Sequence, residues 1–330
     1  MKLFLKYVIT LIVLLLLEKL SFCEVIQGEI SLNGKWKFSV GDNPAWAMRY
    51  YNDSGWDEIY APENWEAQGF RRYDGYAWYR KKIAPGRQYA NRIIVLKLGY
   101  IDDVDEVFVN GIKVGQSGSF PPDYSPGAKS NRAYLIPNDV LHFGEENTIA
   151  IRVFDAQLDG GIVRGDMKVE FSEYELPFDI NLAGEWFLNP GKQVDPISKK
   201  PVIVPGLWEN QGFFDYDGYA VYSKNIYVPE NLDSEKLVFM VGRIDDVDRV
   251  FINGELIGST GKYEERISEN NYLEYRNYFI PHGIIIPGQN NTIEVRVWDE
   301  RWDGGIVEGP IGIITQDKFR KYWMSKRRRN

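Results

Sequence analysis

Apolar and polar residues alternate along most of this chain in short runs of period two, the pattern of strands with one buried face. In one such run Ile149, Ile151 and Val153 point to one side and Thr148, Ala150 and Arg152 to the other. The run returns as Ile293, Val295 and Val297 opposite Thr292, Glu294 and Arg296. Gly, Pro, Asn and Asp punctuate the runs, and no long helical period interrupts them, which predicts an antiparallel all-β chain. The strongest local signal also occurs twice. Ile101-Asp-Asp-Val-Asp-Glu-Val-Phe-Val-Asn-Gly111 is matched 143 residues later by Ile244-Asp-Asp-Val-Asp-Arg-Val-Phe-Ile-Asn-Gly254. Each reads as an acidic turn, a strand, and an Asn-Gly hairpin, because Asn and Gly both accept positive φ.

The rest of the chain follows the same duplication. Leu32-Asn-Gly-Lys-Trp36 pairs with Leu182-Ala-Gly-Glu-Trp186 at an offset of 150, so seven residues are lost before the next match, between Val40 and Pro62. Trp65-Glu-Ala-Gln-Gly69 pairs with Trp208-Glu-Asn-Gln-Gly212, and Tyr73-Asp-Gly-Tyr-Ala-Trp-Tyr79 with Tyr216-Asp-Gly-Tyr-Ala-Val-Tyr222. Asp155-Ala-Gln-Leu-Asp-Gly-Gly-Ile162 is twinned with Asp299-Glu-Arg-Trp-Asp-Gly-Gly-Ile306. Two units follow, 24–173 and 174–315, joined near Glu173 to Phe178 and preceded by a leader (1–23). The expected fold is all-β: two tandem jelly-roll β-sandwiches.

Composition narrows the chemistry. The 330 residues are 44% hydrophobic and 15% aromatic, enough for two cores with rings left for stacking. The net charge is −8, although both ends are basic, so the body is strongly acidic and unsuited to nucleic acid. Lys2 and Lys6 followed by the apolar run Tyr7 to Leu17 fit a signal peptide and are too short for a spanning helix. Ser21 and Cys23 suit ordinary cleavage before Glu24, while Leu20-Ser-Phe-Cys23 is similar to a lipobox in which Cys23 is lipidated. Either way the protein is expected to be exported, periplasmic or at the cell surface, and to meet a membrane only through a lipid anchor or the basic tail, 316–330. That tail is expected to be a solvated, frayed terminus. With one cysteine and two histidines, neither an intrachain disulfide nor a His/Cys zinc cluster can form.

Taken together, Leu-x-Gly-x-Trp, Trp-Glu-x-Gln-Gly, Gly-Tyr-Ala-x-Tyr, Val-Phe-(Val/Ile)-Asn-Gly and Asn-Thr-Ile-x-(Ile/Val)-Arg-Val resemble the N-terminal sugar-binding domain of family 2 glycoside hydrolases. That domain is a jelly roll of the galactose-binding-like fold. The Asp-Gly-Gly-Ile ending is similar to the corresponding domains of sialate O-acetylesterases. The resemblance implies a sugar pocket at Tyr73, Asp74, Asp155 and Asp159 in the first unit and at Tyr216, Asp217, Asp299 and Asp303 in the second. Carboxylates accept bonds from vicinal hydroxyls, and Tyr76, Trp78, Tyr219 or Trp302 offers a ring face. Asp-Gly pairs also simply make turns, which is the plainer reading of each acid. Trp65 and Trp208 are better suited to packing under a loop than to stacking. Arg132 and Arg276 suit buried pairs with Asp, or a fork for a ligand carboxylate. Asp102, Asp103 and Asp105, with Asp245, Asp246 and Asp248, have oxygen ligands for a structural calcium but lack the EF-hand spacing; otherwise no cofactor is expected.

The family's enzymes carry their chemistry on a separate barrel of about 250 residues, for which the two units leave no room. The expected function is therefore non-catalytic carbohydrate binding. The alternative is docking to a partner protein, a separate hydrolase or esterase or a surface protein. A third reading, glycosidase chemistry, requires two carboxyl groups about 5–9.5 Å apart across a pocket.

Overall fold

The computed structural model describes residues 28–127, 131–192, 197–232, 235–262 and 271–327. The leader and Cys23, with the signal and lipidation readings that rest on them, lie outside these residues. The chain's regular structure is nearly all β. The first half holds β1 (Gly28–Ser31), β2 (Gly34–Val40), β3 (Asp57–Ala61), β4 (Gly75–Ile83), β5 (Arg92–Asp102) and β6 (Val104–Val109). It continues with β7 (Ile112–Ser117), β8 (Arg132–Ile136), β9 (Asn147–Asp155), β10 (Gly161–Arg164) and β11 (Lys168–Glu175). The second half holds β12 (Ile180–Asn181), β13 (Gly184–Pro190), β14 (Lys200–Val204), β15 (Gly218–Tyr227), β16 (Leu237–Asp245) and β17 (Val247–Ile252). It ends with β18 (Glu255–Thr260), β19 (Tyr275–Ile280), β20 (Asn290–Asp299), β21 (Gly305–Glu308), β22 (Gly312–Thr315) and one α-helix, α1 (Gln316–Arg327).

Four sheets result. The first half has a six-stranded sheet, β3-β2-β4-β9-β6-β7, and a five-stranded one, β1-β11-β5-β10, with β8 also on β5. The second half repeats the order strand for strand, as β14-β13-β15-β20-β17-β18 and β12-β22-β16-β19, with β21 also on β16. In each half, residues of both sheets meet in one core. Trp36, Phe38, Tyr79 and Ile151 of the six-stranded sheet share a cluster with Ile94, Leu96, Val169 and Phe171. Trp186, Leu188, Tyr222 and Val295 do the same with Phe239, Val241 and Ile313.

The repeated motifs turn out to be joints of this scaffold. The Trp36 indole donates to the Leu32 carbonyl at 2.9 Å, and Trp186 to Leu182 at 2.7 Å, closing a loop around glycines at φ 104 and 105. In Trp-Glu-x-Gln-Gly the tryptophan is fully buried, as expected for Trp65 and Trp208. The glutamine amide pairs with an edge strand: Gln68 accepts from the Tyr60 N–H at 2.6 Å and donates to its carbonyl at 2.8 Å. Gln211 treats Ile203 alike, at 2.6 and 3.0 Å. The hairpins have Asn110 and Gly111 at φ 53 and 88, and Asn253 and Gly254 at φ 51 and 84, as the Asn-Gly signal requires. Each turn asparagine also donates to a buried asparagine, Asn147 or Asn291, at 2.7 Å.

Two expectations fail for packing reasons. The polar side of β9 is not solvated: Thr148 and Ala150 are buried beneath the segment that the second half lacks, where Trp46, Ala47 and Trp56 pack on Trp78 and Phe108. In the second half Thr292 and Arg296 are exposed and the alternation is clean. The basic tail is not frayed. Helix α1 lays Phe319, Tyr322 and Trp323 against Val238, Met240 and Ile314 on the outer face of the five-stranded sheet. Lys318 and the Thr315 N–H both bond Asp179, at 2.6 and 2.8 Å, fixing the start of the helix. The sequence conceals this because the apolar positions share their turns with Lys and Arg.

Buried ion pairs tie the sheets together. Arg132 of β8 bonds Asp105 of β6 at 2.7 Å, and Arg276 of β19 bonds Asp248 of β17 at 2.9 Å; all four side chains are at most 2% exposed. Removing one partner of such a pair strands the other charge. Asp248→Ala is expected to lower the unfolding free energy by about 3–5 kcal/mol, read by urea denaturation. Tyr322→Ala is expected to cost about 3 kcal/mol by the same measurement, whereas a frayed tail would give no change.

Candidate functional site

The predicted site residues converge on one edge of each half, where the β5–β6 corner, the turn before β4 and the β9–β10 loop meet, with their counterparts in the second half. Asp74 and Asp217 are exposed there, as are Asp159 and Asp303. Asp155 and Asp299 end their strands fully buried. Asp155 Oδ1 accepts from the Gln157 N–H at 3.2 Å, and Asp299 Oδ1 from the Arg301 N–H at 3.3 Å; the Oδ2 of each has no hydrogen-bond partner. Burial first, then neighbouring acids, raises Asp155 to about 7 and Asp299 to about 8. Asp74 is among the acids acting on Asp155, and Asp217 among those acting on Asp299.

The acidic corner contributes more than the sequence reading assigned to it. Asp103 Oδ2 accepts from the Tyr124 hydroxyl at 2.8 Å and from the Ala156 N–H at 3.0 Å. Asp246 Oδ2 accepts from the Glu300 N–H at 3.1 Å, and Asp245 is raised to about 7, chiefly by burial and then by Asp246. Carboxylate oxygens of Asp245, Asp246 and Asp299 lie within 4.8 Å of one another. Asp105 and Asp248 face the other way, into the core, and so cannot share a calcium with their neighbours as the sequence suggested. Glu66 and Glu209 were missed as part of this edge. Glu66 accepts from the Gly160 N–H at 3.1 Å, and Glu209 from the Gly304 N–H at 3.2 Å. Burial raises Glu209 to about 8. These glycines need to be small, since a Cβ at Gly160 or Gly304 would stand 2.2 Å from the ring of Trp65 or Trp208.

The rings divide. Trp302 stands 82% exposed at the loop tip, where the first half has Leu158 at 80%. Tyr76 is half-buried, stacked on Phe120 at 5.8 Å under Arg152, and Tyr219 is stacked on Trp298 at 5.9 Å under Lys192. Trp78 is 1% exposed and its indole donates to Asp42 at 3.0 Å, so it offers no face to a ligand. The hydroxyls of Tyr73 and Tyr216 tie backbone segments together. Each hydroxyl accepts from a glycine N–H, Gly41 at 3.1 Å or Gly191 at 2.9 Å, and donates to the carbonyl of Tyr76 or Tyr219. Arg132 and Arg276 are closed to a ligand carboxylate by their Asp partners and by bonds to the Asp103 and Asp246 carbonyls, at 3.2 and 2.7 Å.

Where Val221 replaces Trp78, the outer face of the second half opens into a cavity of about 260 Å³ lined by Lys192, Tyr219, Val221, Arg249 and Arg296. Arg249 and Arg296 are cross-strand neighbours, where the first half pairs Glu106 with Arg152. Chemically, the acidic edge can accept hydroxyl donors or hold a cation, and the basic cavity suits an anionic group.

No family model matches the chain. Over 117 residues it is 33% identical to a β-galactosidase of Vibrio vulnificus (strain CMCP6), which spans 34% of this chain and 8% of the relative. Over 141 residues it is 26% identical to the β-galactosidase BoGH2A of Bacteroides ovatus, spanning 38% of this chain and 15% of the relative. Among solved structures it is similar to a Bacteroides uniformis β-glucuronidase 2 at a TM-score of 0.39 and 17% identity, over 86% of this chain and 28% of that one. The chain thus spans less than a third of each of these proteins. Part of it is related in sequence to β-galactosidases of glycoside hydrolase family 2.

The raised acids set a pH dependence. A carboxyl whose folded value lies above its ordinary 3.8 stabilises the fold fully below that ordinary value, and the contribution is lost as pH rises through about 7 for Asp155 and Asp245 and about 8 for Asp299. In chelator-treated protein the melting temperature is expected to fall between about pH 4 and pH 8, and Asp299→Asn to flatten the upper part of that fall.

Proposed function

We propose that this is an exported carbohydrate-binding protein whose halves are jelly-roll domains of the sugar-binding type, holding glycan without cleaving it. The observation that carries this reading is the repeated placement of an exposed acid beside a buried one, Asp74 with Asp155 and Asp217 with Asp299, at one loop edge of each half. The exposed carboxylates accept bonds from sugar hydroxyls, and in the second half Trp302 supplies an apolar face for a pyranose ring. The two halves do not bind alike, since Leu158 stands where the second half has Trp302. The relatedness to β-galactosidases directs the choice of ligand toward galactosides, with uronates as the comparison.

A second reading, docking to a separate hydrolase or surface protein, draws on the same tips: Leu158 and Trp302 are large apolar side chains almost fully in water. Titration calorimetry with β-galactosides and β-glucuronides separates the two. Sugar binding is expected, weakened about tenfold or more by Asp217→Ala and by Trp302→Ala, because each removes one contact of about 1.4 kcal/mol. Both side chains are exposed, so these variants fold. An absence of binding to every glycan, together with capture of a partner protein that Trp302→Ala abolishes, replaces the first reading by the second.

A further inference from the structure

We propose that Asp245, Asp246 and Asp299 of the second half form a binding site for one divalent cation of calcium size. The donors are all carboxylate oxygens, the hard ligands that calcium takes, and they are gathered from two elements distant in sequence, the β16–β17 corner and the end of β20. Their mutual separations, all within 4.8 Å, suit one ion: calcium–oxygen distances of about 2.3–2.6 Å put opposite ligands about 4.6–5.2 Å apart.

A second observation points to a ligand independently of the cluster. Asp299 is 1% exposed, its Oδ1 takes the Arg301 N–H, and its Oδ2 has no hydrogen-bond partner. A buried carboxylate oxygen left without a partner is costly unless something positive meets it. Among the described residues, no cation bonds that oxygen. Arg276 acts on Asp245, but its Nε is committed to Asp248 and its Nη2 to the Asp246 carbonyl. Among the described residues, Asp303 acts on Asp245 and Asp217 on Asp299, and both add negative charge.

The first half is arranged differently at its corner, although its Asp155 Oδ2 is unpartnered as well. There the Tyr124 hydroxyl donates to Asp103 Oδ2, beside the Ala156 N–H, and among the described residues only the second-half trio gathers closely enough for one ion. One cation per chain is therefore expected.

Calorimetric titration of the chelator-treated full chain with calcium chloride, without any glycan, tests the site. The expected result is one calcium per chain with a Kd on the order of 1 mM or tighter and a raised melting temperature. Asp246→Asn and Asp245→Asn are each expected to weaken binding about tenfold or more, while Asp103→Asn leaves it unchanged. No calcium heat and no melting shift in the unmodified chain overturns the proposal, even if the variants fail to fold. Two calcium ions per chain, or full retention in both variants, overturns the assignment to these residues. Because the readout is cation binding alone, failure of the carbohydrate reading leaves this result intact, and the reverse also holds.

Discussion

A buried arginine in each half carries the geometry on which the loop edge depends. Arg132 and Arg276 start in the five-stranded sheet, cross the core, and pair with an aspartate of the six-stranded sheet. The Nη2 of each reaches backbone carbonyls of the acidic corner: Ile101 and Asp103 in one half, Asp246 in the other. A tyrosine completes each pair, Tyr134 on Asp105 and Tyr278 on Asp248, so both carboxylate oxygens are bonded. Such a pair gains little over an apolar core in free energy, because both charges are desolvated. What it provides is registry. The corner is held by directional bonds at a fixed height above the core, and the acids that flank it inherit that position.

Around this anchor the electrostatics divide by depth. The pair buried in the core is neutral overall. One layer outward, Asp155, Asp299, Asp245 and Glu209 sit where burial disfavours their charge and neighbouring acids disfavour it further. At the rim Asp74, Asp159, Asp217 and Asp303 are exposed and turn toward whatever approaches. An edge built this way stores repulsion that a cation relieves, while the exposed acids remain available to hydroxyl groups.

The duplication permits a comparison inside one chain. Both halves use the same strand order and the same joints, yet their outer faces differ. The extra segment before β3 covers the first face with Trp46 and Trp56 over Trp78. Its loss in the second half, with valine at 221, exposes two arginines and opens the cavity beside Tyr219. The strand order beneath is the same in both halves.

The strands, the hairpins and the duplication were legible in the amino-acid order because they rest on local rules: alternation, Asn-Gly turns and matching offsets. The buried roles of Trp65, Trp208, Arg132 and Arg276 were legible too, since large rings and arginines beside strand aspartates have few stable alternatives. Three things were not. Trp78 lost its open face to a segment more than twenty residues earlier in the chain. The tail became a helix because a sheet face offered its aromatic residues a place to bury. Asp299 joined Asp245 and Asp246, while Asp248 left them, because alternation along β17 sends the 248 side chain inward and folding brings the end of β20 to the corner. The sequence by itself determined which strands form and where they turn, through contacts between near neighbours. Only the tertiary structure decided which acids share a site and which rings meet solvent, because those depend on distances between elements that no local pattern encodes.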